Sequence, residues 1–100
     1  MSHTGATLPV HPGSMLRGML DHLDCSRAKA ARFLGLSRQT LYEITGEKQA
    51  ITPSVALRIA KLTGTNPEMW LNMQQAHDLA IARVQCRELL TKVPALEERW

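Results

Sequence analysis

Between Ser26 and Gly46 the chain carries two short apolar patterns that each begin at a serine, and only Leu36 separates the glycine ending the first from the serine opening the second. Ser26 can cap a helix carrying Ala28, Ala30, Ala31, Phe33 and Leu34, and Gly35 tolerates the positive φ that ends it. Ser37 then opens another helix, with Leu41 and Ile44 facing inward and Gly46 as a stop. Helices joined this tightly must cross steeply, and their axes approach only where the side chain at the crossing is small. Ala31 meets that need, and Gly35 reverses the backbone four residues later without a Cβ penalty. Ala30, Leu34, Leu36, Leu41 and Ile44 close a miniature core. Arg38, Gln39, Tyr42 and Glu43 are left on the outer face of the second helix.

The rest of the 100-residue chain extends this into one all-α domain of five helices, with no alternating strand pattern and no repeat. Residues 1–10 have no periodicity and are read as a flexible arm. A first helix is expected from Pro12 to Leu23, its apolar stripe made of Met15, Leu16, Met19, Leu20 and Leu23. Thr52-Pro53 starts a fourth helix with Val55, Ile59 and Leu62 inward, ending at Gly64. Asn66-Pro67-Glu68 starts a fifth, whose Trp70, Met73, His77, Ala80 and Val84 share a face and which is allowed to run on to Pro94. The folded domain is placed at 11–85, with 86–100 as a C-terminal extension.

Charge narrows the function. From Cys25 to Lys61 seven basic residues stand against two acids, an excess of five, whereas the whole chain nets only +3. A basic excess confined to one segment is an electrostatic footprint for phosphate. Cys25 and Cys86 are far apart and show no metal-type spacing, so neither a disulfide framework nor zinc is indicated. His22 and Cys25 have no second ligand pair behind them, and no phosphate loop or nucleophile elbow is present. The reading is a binding protein, not an enzyme, with no cofactor and no metal. No stretch approaches the roughly 18 apolar residues of a membrane span, so no membrane partner is expected and the expected location is the cytoplasm.

The outer face of the helix after Ser37 suits the DNA major groove. Arg38 can donate twice to a guanine edge, and Gln39 can pair bidentately with adenine. The order of a small residue, glycine four positions on, and apolar residues six and nine beyond the glycine resembles the helix-turn-helix of phage-repressor and Cro-type proteins. That resemblance puts Glu43 where the family often reads another base, either accepting from a cytosine amino group or orienting Arg38 or Tyr42 by a local contact. It puts Arg27 at a phosphate-contacting position, with Ser37, Thr40, Tyr42 and Lys48 as phosphate or groove-wall contacts.

Over about three quarters of its length the chain resembles the HigA antitoxins. The residues that carry this are His11-Pro12-Gly13, Leu36 to Leu41, Ile51-Thr52-Pro53 with Leu57 to Ala60, and Gly64 to Gln74. The resemblance implies a homodimer that binds double-stranded operator DNA in its own promoter and sequesters a RelE-like (HigB-type) toxin that cleaves mRNA. A departure follows the recognition helix: where the family often has Asn-Gly-Lys, this chain has Gly46-Glu47-Lys48, which allows the turn to begin one residue earlier. The fifth helix is the candidate dimer interface through Trp70 and the apolar residues after it, the alternative being that Trp70 is core. A stand-alone regulator without a toxin, and an interaction module that has lost DNA binding, are the competing readings.

Overall fold

The computed structural model describes residues 8–96 and is helical throughout, with no strand among them. Of the arm expected at 1–10, all but Leu8, Pro9 and Val10 lie outside the described residues, as does the end of the extension beyond Leu96. The helices are α1 (Pro12–His22), α2 (Arg27–Leu34), α3 (Arg38–Thr45), α4 (Pro53–Thr63), α5 (Pro67–Gln85) and α6 (Arg87–Thr91). The five expected helices are present. The long fifth one does not run on to Pro94, because the chain breaks at Cys86 before the five-residue α6.

The starts of α1 to α5 follow their capping chemistry, whereas α6 has no side-chain cap. The side chains of Ser26, Ser37, Thr52 and Asn66 accept the N–H three residues ahead, and α1, α4 and α5 carry proline in their first turn. At α1 the cap is a histidine, whose Nδ1 accepts from the Gly13 N–H at 2.9 Å. Gly35 and Gly64 end α2 and α4 in the left-handed conformation, at φ 69° and 71°.

Leu16, Leu20, Leu34, Leu41, Ile44, Ile59 and Trp70 form one core with the small residues Ala30, Ala31, Ala56 and Ala60. Small side chains at the crossings let five short helices share one interior. Trp70 is fully buried, and its Nε1–H donates to Thr65 Oγ1 at 2.7 Å, which satisfies the polar end that otherwise opposes burial. The apolar stripe of α1 is narrower than its sequence, since Met15 and Leu23 are exposed. In α5 the inward pair is Trp70 and Gln74, and Val84 faces out.

Two polar features fix the packing. Gly13 lies against the end of α3 so closely that a methyl group there would overlap the Ile44 carbonyl oxygen. Buried Gln74 accepts the Ile51 N–H on Oε1 at 2.8 Å and donates to Asp78 Oδ1 at 3.1 Å, and its Nε2 lies 3.4 Å from His11 Nε2. The His11 ring meets His77 edge-on at 5.0 Å. Burial first, and then the charge of His77, holds the His11 pKa below its ordinary 6.5, with Glu47 and Asp78 opposing to a lesser extent.

Gly13→Ala is expected to cost about 1–3 kcal/mol through forced repacking of α1 on α3. Gly18→Ala, in the same helix and with nothing within 4 Å, is expected to stabilise by roughly 0.5–1 kcal/mol. Urea midpoints of the two variants give opposite signs if Gly13 is a packing contact and equal signs if it is not.

His11 must be neutral at Nδ1 to cap α1, and the folded state takes up its proton less readily than the unfolded chain does. Its contribution is therefore complete above a pH of about 6.5 and declines as the pH falls below that value towards the lowered folded pKa. His11→Asn keeps a capping acceptor that does not titrate. Unfolding midpoints measured from about pH 7 to about pH 5 should slope less for this variant than for the wild type; identical slopes contradict the assignment.

Candidate nucleic-acid interface

The turn between α2 and α3 is built by three successive residues. Gly35 takes the left-handed conformation, the Leu36 N–H donates back to the Ala31 carbonyl at 2.9 Å, and Ser37 is extended and caps α3. Ser37 Oγ accepts the Thr40 N–H at 3.0 Å and donates to Thr40 Oγ1 at 2.9 Å. These two hydroxyls set the start of α3 before any ligand is present.

Three neighbours hold this unit from behind. Arg58 of α4 donates through Nη1 to the carbonyls of Leu34 and Gly35, at 3.2 and 3.3 Å, so it caps α2 although in the sequence it counts as part of the basic footprint. Arg17 of α1 reaches the Thr45 carbonyl at 3.4 Å. Gly13 abuts Ile44 as described. Sequence reasoning assigns none of the three this supporting role, because the carbonyls and backbone they meet belong to elements far along the chain.

The outer face of α3 presents Arg38, Gln39 and Tyr42 to solvent, with Thr40 and Glu43 half-buried beside them. Arg38 makes no ion pair among the described residues. The local contact expected of Glu43 is made to neither Arg38 nor Tyr42: Gln39 Nε2 donates to Glu43 Oε2 at 2.9 Å, one helical turn away. Arg27 begins α2, and its guanidinium pairs with Asp21 of α1 at 2.9 Å. Lys48 is exposed after α3, and its N–H donates to the Glu43 carbonyl at 2.8 Å. The turn does not begin early, because Gly46 has φ −87° and the left-handed residue is Glu47, at φ 64°. A Cβ at that position costs about 1–2 kcal/mol relative to glycine.

Seven of the eight sequence-derived contact residues thus lie on α3, at its cap or just beyond it, and the eighth, Arg27, begins α2. The face combines a free guanidinium, a carboxamide, hydroxyls and a lysine around one convex helix end. Such a surface can donate to base edges in a groove and to the phosphates beside it. Among the described residues no three His, Cys, Asp or Glu side chains gather as a metal site, and no helix is long and apolar enough to cross a membrane.

Known proteins share this arrangement. The helix-turn-helix family matches residues 16–70. Antitoxin HigA-1 of Vibrio cholerae is 32% identical over 80% of this chain and 76% of its own length. The solved structure of an addiction module antidote protein of the HigA family from Coxiella burnetii is 34% identical, with a TM-score of 0.82 over 90% of this chain and all of that one. The Pseudomonas aeruginosa antitoxin HigA, solved with the higBA promoter, is 31% identical with a TM-score of 0.82 over 89% of this chain and 99% of that one.

Proposed function

The chain belongs to the HigA-type antitoxins of the helix-turn-helix family, DNA-binding regulators and not enzymes, and we propose that it represses its own operon as a dimer and neutralises a RelE-like toxin by direct binding. The observation that carries this reading is the reach of the likeness. It does not stop at residue 70, where the helix-turn-helix match ends, but covers 90% of the chain, α5 included.

In this reading α3 enters the major groove with Arg38 on guanine and Gln39 on adenine, and Glu43 lies beside them. Ser37, Thr40, Tyr42 and Lys48 line the groove wall and its phosphates. Arg27 meets phosphate from the start of α2, either with the guanidinium donors that Asp21 leaves unused or in exchange for that contact.

Dimerisation has a surface available, though not the one centred on Trp70, which is consumed by the monomer core. Leu79 and Val84 on the second half of α5, Leu89 and Leu90 on α6, and Val93 just after it are exposed, and no residue of these helix segments is buried. Pairing two copies there would cover an apolar strip that water otherwise meets. It would also present two α3 helices, which operator half-sites one DNA turn apart, about 34 Å, require.

Neutralisation is stoichiometric binding in this account. Co-expression of the chain with the small toxin encoded beside it, followed by affinity purification, should recover both proteins together and restore growth. Recovery of the toxin alone from arrested cells contradicts the antitoxin reading and favours the stand-alone regulator.

Base contacts and phosphate contacts separate by their response to sequence and salt. Arg38→Ala and Gln39→Ala should each cost about 1–3 kcal/mol on the cognate operator and remove preference at one base pair per half-site. Arg27→Ala should weaken cognate and scrambled DNA alike and lower the slope of log K against log salt by about one unit. Titration of the three variants against both duplexes at several salt concentrations distinguishes them. An unchanged cognate-to-scrambled ratio in the Arg38 and Gln39 variants removes α3 as the reading element.

A further inference from the structure

We infer that Glu43 touches no base and is a positioning residue that makes Gln39 select adenine over guanine. The inference rests on the major-groove reading of α3 and adds the rule by which one of its side chains discriminates.

Gln39 and Glu43 stand one turn apart on α3, and Gln39 Nε2 donates to Glu43 Oε2 at 2.9 Å. Glu43 is half-buried, whereas Gln39 is exposed. An ionised carboxylate only accepts hydrogen bonds, so it attracts an N–H and repels the carboxamide oxygen. That polarity fixes which way the Gln39 amide points: the nitrogen is turned towards Glu43, and the oxygen is kept clear of it.

The consequence lies in the donors that remain. A free glutamine side chain has two N–H donors and one oxygen acceptor. With both donors available it can satisfy the two acceptors of a guanine edge, N7 and O6. With one donor and the oxygen it can satisfy an adenine edge, whose N7 accepts and whose amino group donates. Glu43 occupies one N–H. What Gln39 can then offer to DNA is one donor beside one acceptor, the complement of adenine, and the guanine mode is closed. A direct contact from Glu43 to a cytosine amino group would have to use its other oxygen, and Glu43 is half-buried where Gln39 is exposed.

The full-length protein and a sequence-randomised duplex pool give the test. The selected consensus is followed by titration of duplexes that each change one base pair. Gln39→Ala identifies the pair that Gln39 reads. At that same pair, Glu43→Ala should reduce the adenine-over-guanine preference from at least about fivefold to within about twofold, with other positions unchanged. Glu43→Ser, equally unable to reach Gln39, should do the same. Adding Glu43→Ala to Gln39→Ala should change nothing further at that pair. Loss of a cytosine preference at a different pair on Glu43→Ala, or an unaltered adenine preference, overturns the inference while the major-groove reading stands. A Gln39→Ala protein that keeps every preference overturns both.

Discussion

The fold depends on one close backbone approach, that of Gly13 at the start of α1 to the Ile44 carbonyl at the end of α3. α3 is only eight residues long, and an isolated helix of that length is not stable in water. Its order comes from outside. α1 presses on its last turn, Arg17 holds the Thr45 carbonyl, and α2 reaches it through the Gly35 turn that Arg58 secures from α4. The helix that carries Arg38 and Gln39 is thus fixed in place by three others. A rigid mount of this kind lets a few side chains discriminate bases, because little ordering remains to be done when DNA arrives.

A second constraint ties the ends of the chain to that mount. Gln74 of α5 satisfies the buried Ile51 N–H in the loop leading to α4, and its amide lies against His11, the cap of α1. One side chain therefore links three segments distant in sequence, and a buried amide of this kind is costly unless its partners are all present. The buried residues of α5, Trp70 and Gln74, lie in its first half, where Met69 and Leu71 also pack against the core. The remainder of the helix is free to present its apolar side chains to another chain.

The local code was readable because it is made of short-range chemistry. Ser26, Ser37, Thr52 and Asn66 announce their helices, Gly35 its turn, and Ala31 the helix crossing, each within a few residues of what it controls. What was not readable required knowledge of who meets whom. Periodicity placed Met73 and His77 on the face of Trp70, but the side chain that turns in is Gln74, because an unpaired N–H from Ile51 waits there. Arg58 and Arg27 count as phosphate-seeking charges in the sequence, and in the fold one caps α2 and the other pairs with Asp21. The local partner of Glu43 is Gln39, where the sequence points to Arg38 or Tyr42. The break at Cys86 has no glycine or proline to signal it.

On the proposed reading the chain is a regulator whose specificity sits on one short helix and whose other surfaces serve assembly. The most direct measurement of that central claim is a backbone amide NMR titration of the protein with its operator duplex. The account predicts that shifts concentrate at the start of α2 and from Ser37 to Lys48, while the first half of α5, around the buried Trp70 and Gln74, stays in place. Shifts centred on α5 with an undisturbed α3 would contradict it.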